Sequence, residues 1–350
     1  MNSGTRHIAA LDGIRALAIL IVVISHVVTP VIPGGFGVTL FFFVSGFIIT
    51  RMMLNQGFRG DHLKAFYVRR FFRLAPALFV YLAVSGLVMS ALGYPIPGRD
   101  FCATIFYYAN YHQFTGFGAV HSPLVITWSL SVEEHFYFLF PIVLLLAGRR
   151  LVPVLMATIV AILAWRIVLV VGFHAPMART YVSTDTRLDS IAWGCLVSAL
   201  IHRKDAVLER LSSRPALLVS GVLLLSTFAI RRDDFRETFR YSLQGLALMP
   251  VFCALFWKQT PLRWLRAVLE SRAARYVGNI SYSLYLYHFL VLAACDALIP
   301  GTPAFKPVVL AVAFLAASLS YYLVENPIRR FGSTLARSLE KPAPVEAQPL

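Results

Sequence analysis

Residues 8–28 read IAALDGIRALAILIVVISHVV, and only Asp12, Arg15 and His26 among them carry an ionisable side chain. A run of about twenty apolar residues, at 1.5 Å of helix rise per residue, matches the hydrocarbon thickness of a bilayer. It is longer than the apolar part of a signal peptide, and no small-residue cleavage site closes it. The run is therefore expected to persist as a membrane span. Further candidates follow at about 36–50, 74–92, 124–147, 151–171, 188–201, 215–230, 241–257, 278–298 and 307–325. The second and sixth are short, and Gly37 with Gly46 in the second suggests a broken or tilted helix.

Composition points the same way. Apolar residues make up 58% of the chain and charged residues 14%, with a mean hydropathy of +0.70. Soluble domains carry about a quarter charged residues to make a polar shell. The predicted fold class is all-α: a polytopic membrane helical bundle of about ten transmembrane helices. Residues 1–332 are expected to form the transmembrane domain, and 333–350, rich in Pro and Ala, a disordered cytoplasmic tail. No appended soluble domain is expected.

Orientation follows from the basic residues, which concentrate in cytoplasmic loops. With the N-terminus inside, 22 of the 32 Lys and Arg fall in inner segments and 8 in outer ones, while Arg15 and Arg166 lie within spans. Both termini are thus predicted to be cytoplasmic. The net charge of +15 is spread along the chain between spans, which fits anchoring to membrane lipid and argues against a nucleic-acid partner. The four cysteines, Cys102, Cys195, Cys253 and Cys295, show no paired spacing, so neither a disulfide framework nor a metal is expected.

Ionisable residues inside a span are costly, roughly 2.5–3.5 kcal/mol each on insertion scales. They include Asp12, Arg15, His26, Glu133, Glu134, His135, Arg166, Asp189 and His288. Arg15 and His26 are eleven residues apart, hence about 20° apart around a helix and roughly 16 Å along it. One face of the first span therefore runs from a cation to an imidazole. Asp12, one turn earlier, is placed to pair with Arg15. His26 reads either as a hydrogen-bonded packing residue or as a general base.

In WSLSVEEHFY (128–137), Ser129, Glu133 and Tyr137 share a helical stripe, with Glu134 turned about 100° away. Glu133 is expected to reach the depth of His26, where it would orient the imidazole; a proton relay or an interhelical hydrogen bond is the other reading. Arg70 and Arg73 stand three apart in RRFFRLAP (69–76). Two adjacent guanidiniums suit phosphate recognition, and a positive-inside anchor explains them equally well. Walker, GxSxG, HExxH and CxxC motifs are absent.

Taken together, LDGIRALAILIVVISH (11–26), FFFVSGFIIT (41–50), RRFFRLAP, WSLSVEEHFY, TRLDSIAWGCL (186–196), ISYSLYLYH (280–288) and ENPIRRF (325–331) resemble the acyltransferase-3 family of bacterial integral-membrane O-acyltransferases. Shared order and spacing carry the resemblance, since any one segment alone is a common apolar helix. It implies a multi-pass protein of the bacterial inner membrane that moves an acyl group, most simply acetyl, from acyl-CoA to a hydroxyl of a carbohydrate acceptor. O-antigen lipopolysaccharide, exopolysaccharide, peptidoglycan, a nodulation-type oligosaccharide and a macrolide sugar all offer one. The resemblance further implies His26 as base, with an acyl-histidine relay as an alternative, Arg15 as essential, and Arg70 with Arg73 on the CoA phosphates. Glu133 would act with Ser129 or Tyr137 beside it. Arg187 and Asp189 match an RxD element, read as a salt bridge or a substrate contact, and His288 closes the SYSLYLxH element, packed on Tyr285. A rival from another class is a proton-coupled transporter or flippase of lipid-linked sugars.

Overall fold

The computed structural model describes residues 8–56, 60–115, 122–258, 261–298 and 306–340. Among them the chain is helical, with turns and short 3-10 and π segments and no strand. The principal helices are α1 (Ala9–Val27), α2 (Gly34–Gln56), α3 (Gly60–Ala91), α4 (Trp128–Ala147), α5 (Leu151–Ile167), α6 (Thr184–Arg203), α7 (Arg214–Ala229), α8 (Arg240–Cys253), α9 (Ser281–Leu298), α10 (Lys306–Ser320) and α11 (Asn326–Leu339).

Six stretches are helical, long and apolar enough to cross a membrane: α1, α2, residues 62–91 of α3, 123–172, α9, and 306–339. The chain is a multi-pass membrane protein. Stretch 123–172 holds both α4 and α5, joined at Gly148–Arg150, where Gly148 takes a positive φ of 49° that suits a residue without Cβ. The predicted spans 188–201 and 241–257 correspond to α6 and α8, which fall outside this set. Their polar residues explain why: Thr186, Arg187, Asp189 and Gln244 are buried against other helices, so neither helix needs a wholly apolar surface. The outward faces of peripheral helices are apolar instead, as with Leu218, Val222 and Leu225 on α7.

Two expectations are corrected. The second span is neither short nor broken, because α2 runs unbroken for 23 residues. Its Gly46 permits a close crossing with α6: a Cβ there would lie 2.1 Å from the Ile191 carbonyl oxygen, and one on Gly194 would lie 1.9 Å from that of Phe43. Small residues at such a crossing let two backbones touch, which is a main source of helix association in lipid. The expected boundary at Ser333 also moves, since α11 continues to Leu339. Gly332 packs on Phe72 of α3, and Arg69 pairs with Glu340 at 2.7 Å, so tertiary contacts hold this helix. Residues 341–350 lie outside the described residues.

Candidate active site

A cleft opens among α1, α2, α3, α4 and α9. Arg15 reaches it from α1, Ser45 from α2, Arg70 and Arg73 from α3, Ser129, Glu133 and Tyr137 from α4, and Tyr285 from α9. The 3.6-residue period puts Ser129, Glu133 and Tyr137 on one wall. Pro76, inside α3, removes the donor that the Phe72 carbonyl would have received, next to Arg73.

Opposite charges settle against each other in this low-dielectric space. Arg70 Nη2 lies 3.2 Å from Glu134 Oε1 and 3.7 Å from Glu133 Oε2, and its guanidinium sits 3.1 Å from the centre of the Tyr137 ring. The Ser45 hydroxyl donates to Glu133 Oε1 at 2.8 Å. Glu325, in the π segment Tyr321–Glu325 between α10 and α11, accepts from Ser283 at 2.9 Å and stands within electrostatic reach of Arg73 and Arg15. Among the described residues neither Arg15 nor Arg73 has a carboxylate within 4 Å. Two guanidiniums thus face the cleft uncommitted.

His26 is held elsewhere. Its Nδ1 lies 3.0 Å from His288 Nε2, the two rings being nearly parallel at 4°. His288 Nδ1 is in turn 3.0 Å from the Leu284 carbonyl oxygen. A carbonyl only accepts, so His288 Nδ1 carries the proton and its Nε2 is an acceptor. His26 Nδ1 must then be the donor to it, which leaves His26 Nε2 with a free lone pair on an exposed side chain. The expected orientation of His26 by Glu133 is therefore corrected. The imidazole of His288, fully buried, occupies the role foreseen for a carboxylate, while Glu133 is drawn to Arg70.

Tyr285 stands between the two groups. Its hydroxyl donates to the Ile126 carbonyl at 2.9 Å and meets the Ser129 hydroxyl at 2.7 Å in the cleft, while its ring lies 5.8 Å from that of His288. His288 thus packs on Tyr285 as foreseen, with the contact to His26 in addition.

The RxD pair does not form a mutual bridge. Arg187 donates to Thr39 at 3.0 Å and stacks 3.9 Å over the Tyr241 ring, whereas Asp189 Oδ2 accepts from Arg166 at 2.7 Å and from Ser242 at 2.6 Å. Asp12 is buried where Gly278 abuts its backbone, outside the cleft that Arg15 lines. Sequence reading singled out neither Ser45 nor Glu325. Each lay inside a quoted motif; Glu325 also closes the predicted span 307–325, where its charge was the signal, whereas no spacing rule distinguishes Ser45 from its apolar neighbours.

A family model described as an acyltransferase domain matches residues 8–323. The peptidoglycan O-acetyltransferase OatA of Listeria monocytogenes is 31% identical, aligned over 93% of this chain and 56% of that protein. The O-acetyltransferase OatA of Staphylococcus aureus is 29% identical over 93% of this chain and 58% of its own length. The chain thus spans little more than half the length of these relatives. No solved structure matches.

Proposed function

Since the chain belongs to the acyltransferase-3 family over residues 8–323, we propose that it transfers an acetyl group from acetyl-CoA to a hydroxyl of a cell-surface glycan, with His26 as general base. The observation that carries this reading is the His26–His288–Leu284 chain of hydrogen bonds, which presents an exposed imidazole Nε2 as a proton acceptor. His26 Nε2 takes the proton of the acceptor hydroxyl as its oxygen attacks the thioester carbonyl. The C–S bond then breaks, and the CoA sulfur leaves with the proton returned by His26. General-base assistance of this kind contributes about 100- to 10,000-fold.

The donor enters through the arginine cleft. Arg73 and Arg15 supply charge-assisted hydrogen bonds to the CoA phosphates, and the pantetheine arm extends past Tyr285 toward His26, roughly 16 Å along α1 from Arg15. Arg70, already engaged by Glu133 and Glu134, fixes the cleft wall. The names of the relatives favour peptidoglycan as the acceptor over lipopolysaccharide or exopolysaccharide. The protein sits in the bacterial cytoplasmic membrane with about ten crossings and both termini inside, so that the donor is met from the cytoplasm.

Two series of variants test this. Arg73→Ala is expected to raise the apparent KM for acetyl-CoA about tenfold with kcat nearly unchanged, a loss of about 1.4 kcal/mol of ground-state binding. Arg70→Ala is expected to lower the thermal midpoint as well, because it leaves two glutamates without their cation. Steady-state kinetics and thermal melting of purified variants distinguish the two, and an unchanged KM in Arg73→Ala removes this residue from the donor site. His288→Ala is expected to reduce kcat by about 100-fold, since His26 then loses its enforced tautomer. His288→Gln keeps an acceptor near the Nε2 position and is expected to recover most of that loss. Equal activity in the alanine variant and the native protein would show that the imidazole pair is only packing.

A further inference from the structure

The cleft that Arg15 and Arg73 line takes its long axis from α2. Val38, Phe41, Ser45 and Ile48 of that helix border it at steps of three and four residues, a single stripe about 15 Å long by helix rise. Ser45, bonded to Glu133, stands at the level of the Arg70–Glu133 pair. From there the stripe continues toward the start of α2, where the Gly34 amide donates to the Ser25 hydroxyl at 3.2 Å. Ser25 is the neighbour of His26, so the imidazole lies beyond the Val38 end of the cleft.

Between the arginines and that end stands an aromatic pair. The Phe41 and Tyr285 rings both border the cleft and meet edge to face, their centres 6.4 Å apart at 73°. At such a separation edge-to-face rings are in contact. Tyr285 is pinned by its hydrogen bonds to Ile126 and Ser129, and its ring packs on His288, the partner of His26. Phe41, partly buried, is held by packing alone. A thioester that travels from the arginines to His26 passes this pair, and Phe41 is the member free to yield.

We propose that Phe41 and Tyr285 form a width filter on the acyl group, passing a straight chain and excluding a branched one, an inference that rests on the acetyl-transfer reading above. A straight acyl end is no wider than the methylene arm that follows it through. A branch on the carbon beside the carbonyl adds a methyl where the two rings already touch, and close-packed side chains resist added volume. One carbon in a specificity site is worth about 10- to 200-fold in discrimination.

The test compares acetyl-CoA, butyryl-CoA and isobutyryl-CoA as donors to peptidoglycan fragments, with the full chain in phosphatidylcholine nanodiscs. Butyryl and isobutyryl groups hold the same atoms and differ in width. The native chain is expected to favour butyryl over isobutyryl at least tenfold in kcat/KM, and Phe41→Ala to bring the two within threefold. A variant that only loosens the fold slows all three donors together and leaves the ratio unchanged. Should the melting midpoint of Phe41→Ala fall, Phe41→Leu keeps an apolar side chain without the ring and is expected to narrow the ratio at least threefold. An undiminished ratio in the folded variant overturns the proposal, as does a native chain that accepts both four-carbon donors equally. Equal rejection of both also overturns it, because the limit is then length at His26. In each of these outcomes acetyl transfer leaves the wider reading standing, whereas no ester and no released thiol from acetyl-CoA removes that reading and the filter with it.

Discussion

Replacing His26 by alanine is expected to lower acetyl transfer by about 100- to 10,000-fold while the protein still inserts and folds. The size follows from the role: without an acceptor for its proton, the attacking hydroxyl must ionise against water. Stability is expected to fall by only about 1 kcal/mol, because the side chain is exposed and the main loss is the unmade hydrogen bond at His288 Nε2. Turnover with acetyl-CoA, measured beside the thermal midpoint of the same preparation, separates chemistry from folding. Transfer within threefold of the native rate would remove His26 from the reaction, and a collapsed midpoint would make it a structural residue. Arg15 gives the contrast, because it lines the cleft proposed for the donor and its loss should appear mainly in the KM for acetyl-CoA.

The largest effect on stability is expected at a site remote from the chemistry. Asp189→Ala leaves the guanidinium of Arg166 buried with no carboxylate, and both side chains are wholly inaccessible in the native protein. Breaking such a pair by removing one partner costs about 3–5 kcal/mol. Arg166 would retain the Thr238 carbonyl at 2.9 Å and the Ser242 hydroxyl at 2.6 Å, which satisfy hydrogen bonds and leave the charge uncompensated. The pair ties α5 to α6, with Ser242 of α8 as the third member, so the expected result is a lowered midpoint and reduced yield in detergent. The double variant Arg166→Met, Asp189→Leu is expected to recover most of that loss, since an apolar pair of similar volume needs no counter-charge. If Asp189→Ala melts with the native protein, the cluster contributes nothing and its burial has another cause.

These two residues also mark what the sequence makes legible. Membrane helices follow from composition and run length, and the stripe of Ser129, Glu133 and Tyr137 follows from helical period; all three line one cleft with Arg15, Arg70 and Arg73. Period and depth define a face and a height, but they do not identify the neighbour. Glu133 and His26 were matched by depth alone, whereas the nearby Arg70 offers a full charge, and in a low-dielectric interior that attraction decides the partner. Glu134, expected to look elsewhere, binds the same guanidinium from the adjacent position. His26 and His288 are separated by 262 residues, and no local pattern links them. The RxD element implied by the family resemblance couples Asp189 with Arg187. The fold instead turns Arg187 onto Tyr241 and gives Asp189 to Arg166, a contact between helices that spacing does not encode. The second span shows the converse error: its glycines, read as weak points, are where α2 comes close to the backbones of α1 at Ala18 and α6 at Ile191.

The most direct measurement follows a labelled acetyl group from acetyl-CoA into a glycan, using the purified chain in sealed proteoliposomes with peptidoglycan fragments as acceptor. The expected result is label on the fragments as a base-labile ester, one CoA thiol released for each ester formed, and neither product with His26→Ala. Movement of glycan across the membrane with no thiol released, or ester formation undiminished in that variant, would contradict the assignment of His26 as the base of an acetyl transfer.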